Sequence, residues 1–241
     1  MKKQADALKI LAIGAHPDDL EFGMGAVLLK EFAQGSELSI VITSKGEAGS
    51  AGTPEIREAE SRAAAKMLGV TDRLTFLNFG GDGLQTSSPE NSVQLARLIR
   101  EYRPDIVCAP SLSANQHPDH CAVGTATRNA CRLARYGGMA ALAGRKPHAV
   151  ASLWFYSITA HEDNSLSGAT LVDVSEVVDV WQELMACHQS QVSQRNYIDL
   201  QLARAQQLGA MARCAYAVAL WPNDPPVVQT LGQLKHTARA F

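Results

Sequence analysis

The chain lacks several features, and each absence removes a class of function. No stretch approaches the ~20 consecutive apolar residues that cross a bilayer, so a membrane-spanning role is not expected. Lys2-Lys3 followed by residues 7–13 faintly resembles a signal peptide. Lys9 breaks that apolar run, which reads better as the first strand of a folded domain. The five cysteines (Cys108, Cys121, Cys131, Cys187 and Cys214) are odd in number and contain no C-x-x-C pair. This argues for a reducing compartment, and a cytoplasmic protein is expected. Basic tracts are absent too. With 22 Lys and Arg against 24 Asp and Glu, net charge −2, nothing suggests a nucleic-acid footprint. No G-x-G-x-x-G follows the first strand, which disfavours a dinucleotide site.

What is present is a regular alternation of strand and helix signals. The 241 residues have an ordinary globular composition, 46% hydrophobic and 19% charged. Apolar or β-branched runs at 10–13, 38–43, 73–79 and 105–110 read as buried strands. Helical patterns lie between them at 24–32, 54–68 and 88–102, with another from the 115–120 turn to about 135. Pro17, Pro54, Pro89 and Pro118 stand where a first helical residue tolerates proline. Beyond Gly137 the pattern weakens; 152–159 and 170–174 read as two more strands, and 176–191 and 197–220 as closing helices. No repeat or linker divides the chain. The expectation is one α/β domain over 1–241. It is a doubly wound, Rossmann-like, mostly parallel sheet with helices on both faces and C-terminal strands and helices added.

The stretch that organises the chain is His16-Pro17-Asp18-Asp19, a strand-to-helix turn after the first strand. A second such turn, His117-Pro118-Asp119-His120, follows the fourth. In the strand order 3-2-1-4-5, strands one and four are neighbours, and right-handed crossovers put both turns at one sheet edge. Six ionisable side chains should therefore share a crevice. Two imidazoles and a carboxylate suit Zn²⁺ with a position left for water. His16 and Asp19, three residues apart, supply two ligands and His120 the third. A cation there lowers the pKa of a water towards ~7. Asp18 is then placed as general base, His117 as oxyanion stabiliser or acid, and Asp119 as the carboxylate that orients His117.

Two blander readings compete. Either tetrapeptide alone is a plausible helix start, with acids favoured by the helix dipole. A nucleotide pocket would use the first turn, but two carboxylates there would repel a phosphate. Gly23-Met24-Gly25 comes too late for phosphate binding and reads as close helix packing. The pairing of the two turns favours the metal site.

Gly14-Ala15-His16-Pro17-Asp18-Asp19, Glu21-Phe22-Gly23-Met24-Gly25 and His117-Pro118-Asp119-His120 together resemble the LmbE-like (PIG-L) family of zinc-dependent N-acetylglucosaminyl deacetylases. The helix start from Thr53 to Glu60 and the Leu68-Gly69-Val70 stop extend the resemblance. Length and closing helices are most similar to the deacetylases of N-acetylglucosaminyl malate in bacillithiol synthesis. The resemblance implies the same ligands (His16, Asp19, His120), base (Asp18) and His117–Asp119 pair. It also implies a substrate-side arginine at Arg57 and an oxyanion-reaching tyrosine at Tyr197. Arg57 reads equally as one half of a surface ion pair, and Tyr197 as a packing residue. The expected partner is a small amino-sugar substrate, and relatives are often homo-oligomers.

Gln116 departs from an arginine common before the second motif, which leaves the aglycone open. Loop 46–53 is glycine-rich enough to move as a lid, and His161-Glu162-Asp163 could rim the pocket. His148, His161, His188 and His236 have no ligand spacing. Fe²⁺ is an alternative metal. The rival functions are a zinc amidase acting on another amide, such as a thiol conjugate, and a non-catalytic metal-binding module.

Overall fold

The computed structural model describes residues 7–81, 83–113, 117–159 and 166–238. The first half of the chain alternates strand and helix: β1 (Lys9–Gly14), α1 (Asp19–Ala33), β2 (Glu37–Ile42), α2 (Pro54–Met67), β3 (Leu74–Phe76), α3 (Pro89–Tyr102), β4 (Ile106–Pro110) and α4 (Pro118–Arg135). After it come β5 (Ser152–Tyr156), β6 (Thr170–Asp173), α5 (Val178–Ala186), α6 (Gln189–Val192), α7 (Tyr197–Ala212) and β7 (Ala217–Pro222). The sheet order is β3-β2-β1-β4-β5-β7-β6. The first five strands are parallel, and β7 runs antiparallel to both β5 and β6. This is the expected mostly parallel α/β architecture.

Both faces of the central strands β1, β2 and β4 are buried, which explains why they read as continuous apolar runs. Along β1, Ile10 and Ala12 pack with α1 and the C-terminal helices, while Leu11 and Ile13 pack with α3 and α4. Close approach is built into α1. A Cβ on Gly23 would lie 2.5 Å from the Tyr156 ring, and one on Gly25 2.9 Å from Leu184. The packing reading of those glycines is correct.

Helix starts follow local chemistry. Thr53 and Ser88 cap α2 and α3 with side-chain oxygens that accept from Ile56 N and Asn91 N, and Pro54 and Pro89 occupy the first turn. His117 and Pro118 open α4 in the same way. Pro17 does not, because α1 begins only at Asp19 and Asp18 is its cap.

The larger correction lies at the C-terminal end. The expected helix over 197–220 stops at Ala212, where Arg213 takes a left-handed conformation (φ 63°). The chain then folds back over Gly209, whose absent Cβ would sit 2.5 Å from Ala215 O. Residues 217–222 form β7, wedged between β5 and β6. Its Ala-Val-Ala-Leu run fits either element by composition, so sheet pairing decides. The expected 176–191 helix also breaks, at Cys187 and His188, into α5 and α6. Gln116 and His161-Glu162-Asp163 lie outside the described residues.

Candidate active site

β1 and β4 are adjacent and parallel, with Ile10 opposite Ile106 and Ala12 opposite Cys108. The turns that follow them therefore emerge at one edge, as the strand order requires. The structure brings together all six residues singled out there. The ring centroid of His16 lies 4.8 Å from that of His117 and 5.2 Å from that of His120.

The first turn is held rigidly. Asp19 Oδ2 accepts from the backbone amides of Ala15 and His16, each at 2.8 Å. This leaves Oδ1 to face His120 Nε2 at 3.0 Å. Burial alone would raise the Asp19 pKa, but His120 and His16 outweigh it and hold the carboxyl well below its usual range. Asp18 has φ 107°, left-handed backbone that costs a non-glycine residue about 1–3 kcal/mol. Burial and the neighbouring Asp19 charge push its carboxyl up to about 7, against the pull of His188, Arg57 and His16.

In the second turn Asp119 is the hub. Its Oδ2 takes the amide of Gly83 at 2.5 Å, and its Oδ1 takes that of Gln85 at 3.1 Å. His16 Nε2 makes a 2.9 Å hydrogen bond to Oδ2. The carboxylate thus orients His16 most directly. His117 Nδ1 is 3.9 Å from it and instead accepts from the Asp119 amide at 3.3 Å. His117 is the open member of the group, its side chain 45% exposed. Burial and the two other imidazoles lower its pKa.

Among the described residues, two donor groups could hold a metal: His16, Asp19 and His120, or His16, His117 and Asp119, each with ligand atoms within 4.8 Å of one another. The first fits better. All three of its residues are buried, and Asp19 keeps one oxygen clear of backbone donors. In the second group both oxygens of Asp119 already take amides. One carboxylate and two imidazoles, with His120 Nε2 facing Asp19 Oδ1 at 3.0 Å, suit a borderline divalent ion such as zinc.

These residues line one end of a cleft of about 770 Å³. Its other walls include Phe22, Ile158, Thr159, Gln191, Arg195 and Leu200. Arg57 is not a surface ion pair. It is 4% exposed, donates to Pro17 O at 2.8 Å and reaches Asp18 Oδ2 at 3.5 Å. Tyr197 both packs on Phe22, with ring centroids 5.5 Å apart, and lines the cleft. Gln85 escaped sequence reading. Besides its amide bond to Asp119, its side chain donates to Ala15 O at 3.0 Å and accepts from Thr43 Oγ1 at 2.5 Å, tying three loops together. Its only sequence signal is a glycine-rich loop at the carboxyl end of β3.

Residues 11–131, half of the chain, match the family model described as PIG-L, GlcNAc-PI de-N-acetylase. The chain belongs to the PIG-L family. The diacetylchitobiose deacetylase of Thermococcus kodakarensis is 29% identical over 199 residues, covering 77% of this chain and 71% of that protein. A conserved protein of Thermus thermophilus superposes with TM-score 0.81 at 31% identity, over 92% of this chain and 97% of the other. The N,N'-diacetylchitobiose deacetylase of Pyrococcus horikoshii gives TM-score 0.78 at 25% identity, over 90% and 84%. No helix among the described residues of this PIG-L chain is long and apolar enough to cross a membrane.

Proposed function

We propose that this PIG-L protein is a divalent-metal-dependent amide hydrolase that removes the acetyl group from the N-acetylglucosamine unit of a small glycoside. One observation carries the reading. Two turns a hundred residues apart bring His16, Asp19 and His120 into one buried donor set, with Asp18 and His117 beside it and a substrate-sized cleft in front. The activities of relatives agree, including the diacetylchitobiose deacetylase of Thermococcus kodakarensis and the 1D-myo-inositol 2-acetamido-2-deoxy-α-D-glucopyranoside deacetylase of Catenulispora acidiphila.

His16, Asp19 and His120 would hold the ion. When bound, it supplies Lewis acidity that acidifies water and polarises the amide carbonyl. Asp18 takes the proton from the attacking water; His188, Arg57 and His16 favour its carboxylate form against the burial that favours the protonated one. His117 donates to the carbonyl oxygen as it gains charge. Asp119 fixes the orientation of His16. The proton taken by Asp18 then passes to the departing amine as the C–N bond breaks, releasing acetate and the free amino sugar. Arg57 holds the carbonyl of Pro17 and faces Asp18, which keeps the first turn in its catalytic shape.

For the substrate we propose a small N-acetylglucosaminyl conjugate, with a bacillithiol-type N-acetylglucosaminyl malate as the first candidate to test. The test offers this conjugate, N,N'-diacetylchitobiose and an N-acetylglucosaminyl inositol to the zinc-loaded protein and measures acetate and free amine together. Equal release of both from at least one, abolished by chelation and restored by Zn²⁺, is expected. Absence of acetate from all three while another amide is cleaved would overturn the deacetylase reading.

A further inference from the structure

The glycine-rich loop between β2 and α2 does not stand free over the cleft. It wraps Arg57. A Cβ on Gly46 would overlap the guanidinium, and one on Gly49 would come within 2.8 Å of Nη1. Only bare backbone fits this close, and glycine backbone loses more freedom on ordering than any other. Such a loop needs an external tie.

Residues 188–191 provide it. Gln191 Nε2 donates to Ala51 O at 2.9 Å and to Ser190 Oγ at 3.0 Å. The backbone amide and hydroxyl of Ser190 both donate to the Glu60 carboxylate, each at 2.7 Å. A Cβ on Gly52 would meet the Ser190 side chain at 2.8 Å. The fully buried His188 anchors the other side, with Nε2 3.2 Å from Glu21 Oε2 on α1. His188, Ser190 and Gln191 thus join α1, α2 and the loop. His188 stands at the break between α5 and α6, and Ser190 and Gln191 lie on α6.

We propose that residues 188–191 form a strap whose Ser190 and Gln191 act as positioning residues for Arg57, holding loop 46–52 down on its guanidinium. A free arginine side chain samples many rotamers, and the strapped loop confines this one where it bonds Pro17 O and faces Asp18. The functional consequence rests on the deacetylase reading; the mechanical one does not.

The experiment is a double-mutant cycle read in two ways. Gln191→Ala and Ser190→Ala should each speed hydrogen exchange of the loop 46–52 amides and lower kcat/KM by about tenfold, the worth of one lost hydrogen bond. Bound metal should be unchanged. In an Arg57→Ala background the same substitutions should lower kcat/KM no further, because nothing is left to position. Ser190 does not line the cleft, so its variant separates the strap from direct substrate contact. Gln191→Glu, the same size without the donor, replaces Gln191→Ala should that protein misfold. Equal losses in both backgrounds, or loop exchange unaltered by either substitution, would overturn the proposal. If no acetylated sugar is turned over, the deacetylase reading fails, and loop exchange alone decides the strap.

Discussion

His16-Pro17-Asp18-Asp19 and His117-Pro118-Asp119-His120 begin with His-Pro-Asp, yet their backbones differ. In the first turn the helix is delayed to Asp19, and Asp18 is forced to φ 107°. In the second the helix starts at once on Pro118, and His117 caps it at φ −56°. The delay turns both carboxylates of the first turn into the cleft, one towards the imidazoles and one towards Arg57. Immediate helix in the second buries Asp119 and His120 and leaves His117 half open. One tripeptide thus provides a strained, fully committed corner and a relaxed corner with an accessible acid–base group. Strain is stored where the reaction is proposed to need a fixed base, and the surrounding bonds to Asp19 and Pro17 O hold it.

Substitutions sharpen the contrast. Asp18→Asn should lower kcat by about 10²–10⁴-fold with metal retained, as steady-state kinetics and metal analysis will show. His117→Ala should cost about 10²–10³-fold in kcat, since an oxyanion donor is lost without disturbing the ligands. Asp119→Asn should weaken metal binding by about 10–100-fold in a chelator competition, because its closest imidazole is His16. If Asp119 served His117 alone, metal affinity would not change. The smallest effect is on stability. Asp18→Gly should raise it by about 1 kcal/mol in urea unfolding, by relieving left-handed strain. Asp119→Gly, within regular helix, should lower it by about 1 kcal/mol or more.

The halves of the chain also differ in how much of their structure could be read beforehand. Up to Arg135, the central strands buried on both faces and the helices opened by Pro54, Pro89 and Pro118 gave local signals that agree with the tertiary fold; Pro17 alone misled, because α1 waits until Asp19. Strand order then placed the two turns together. What escaped was set by partners distant in sequence. The 217–222 run is helical or extended by composition and became β7 because β5 and β6 offered two open edges. Gln85 acts through a loop with no period. His188 showed no ligand spacing because its partner Glu21 lies on another helix. Arg57 looked like a surface residue by its glutamate neighbours, and only the loop folded over it makes it buried. The Asp119–His16 bond was equally hidden, since sequence proximity favours His117 as its partner.

The central claim is that the two turns share one divalent ion through His16, Asp19 and His120. Anomalous diffraction at the zinc edge from zinc-soaked crystals tests it directly. One peak is predicted, with all three side chains at about 2.0–2.2 Å. A cleft without a peak, or a peak held by His117 and Asp119 in place of Asp19 and His120, would contradict it.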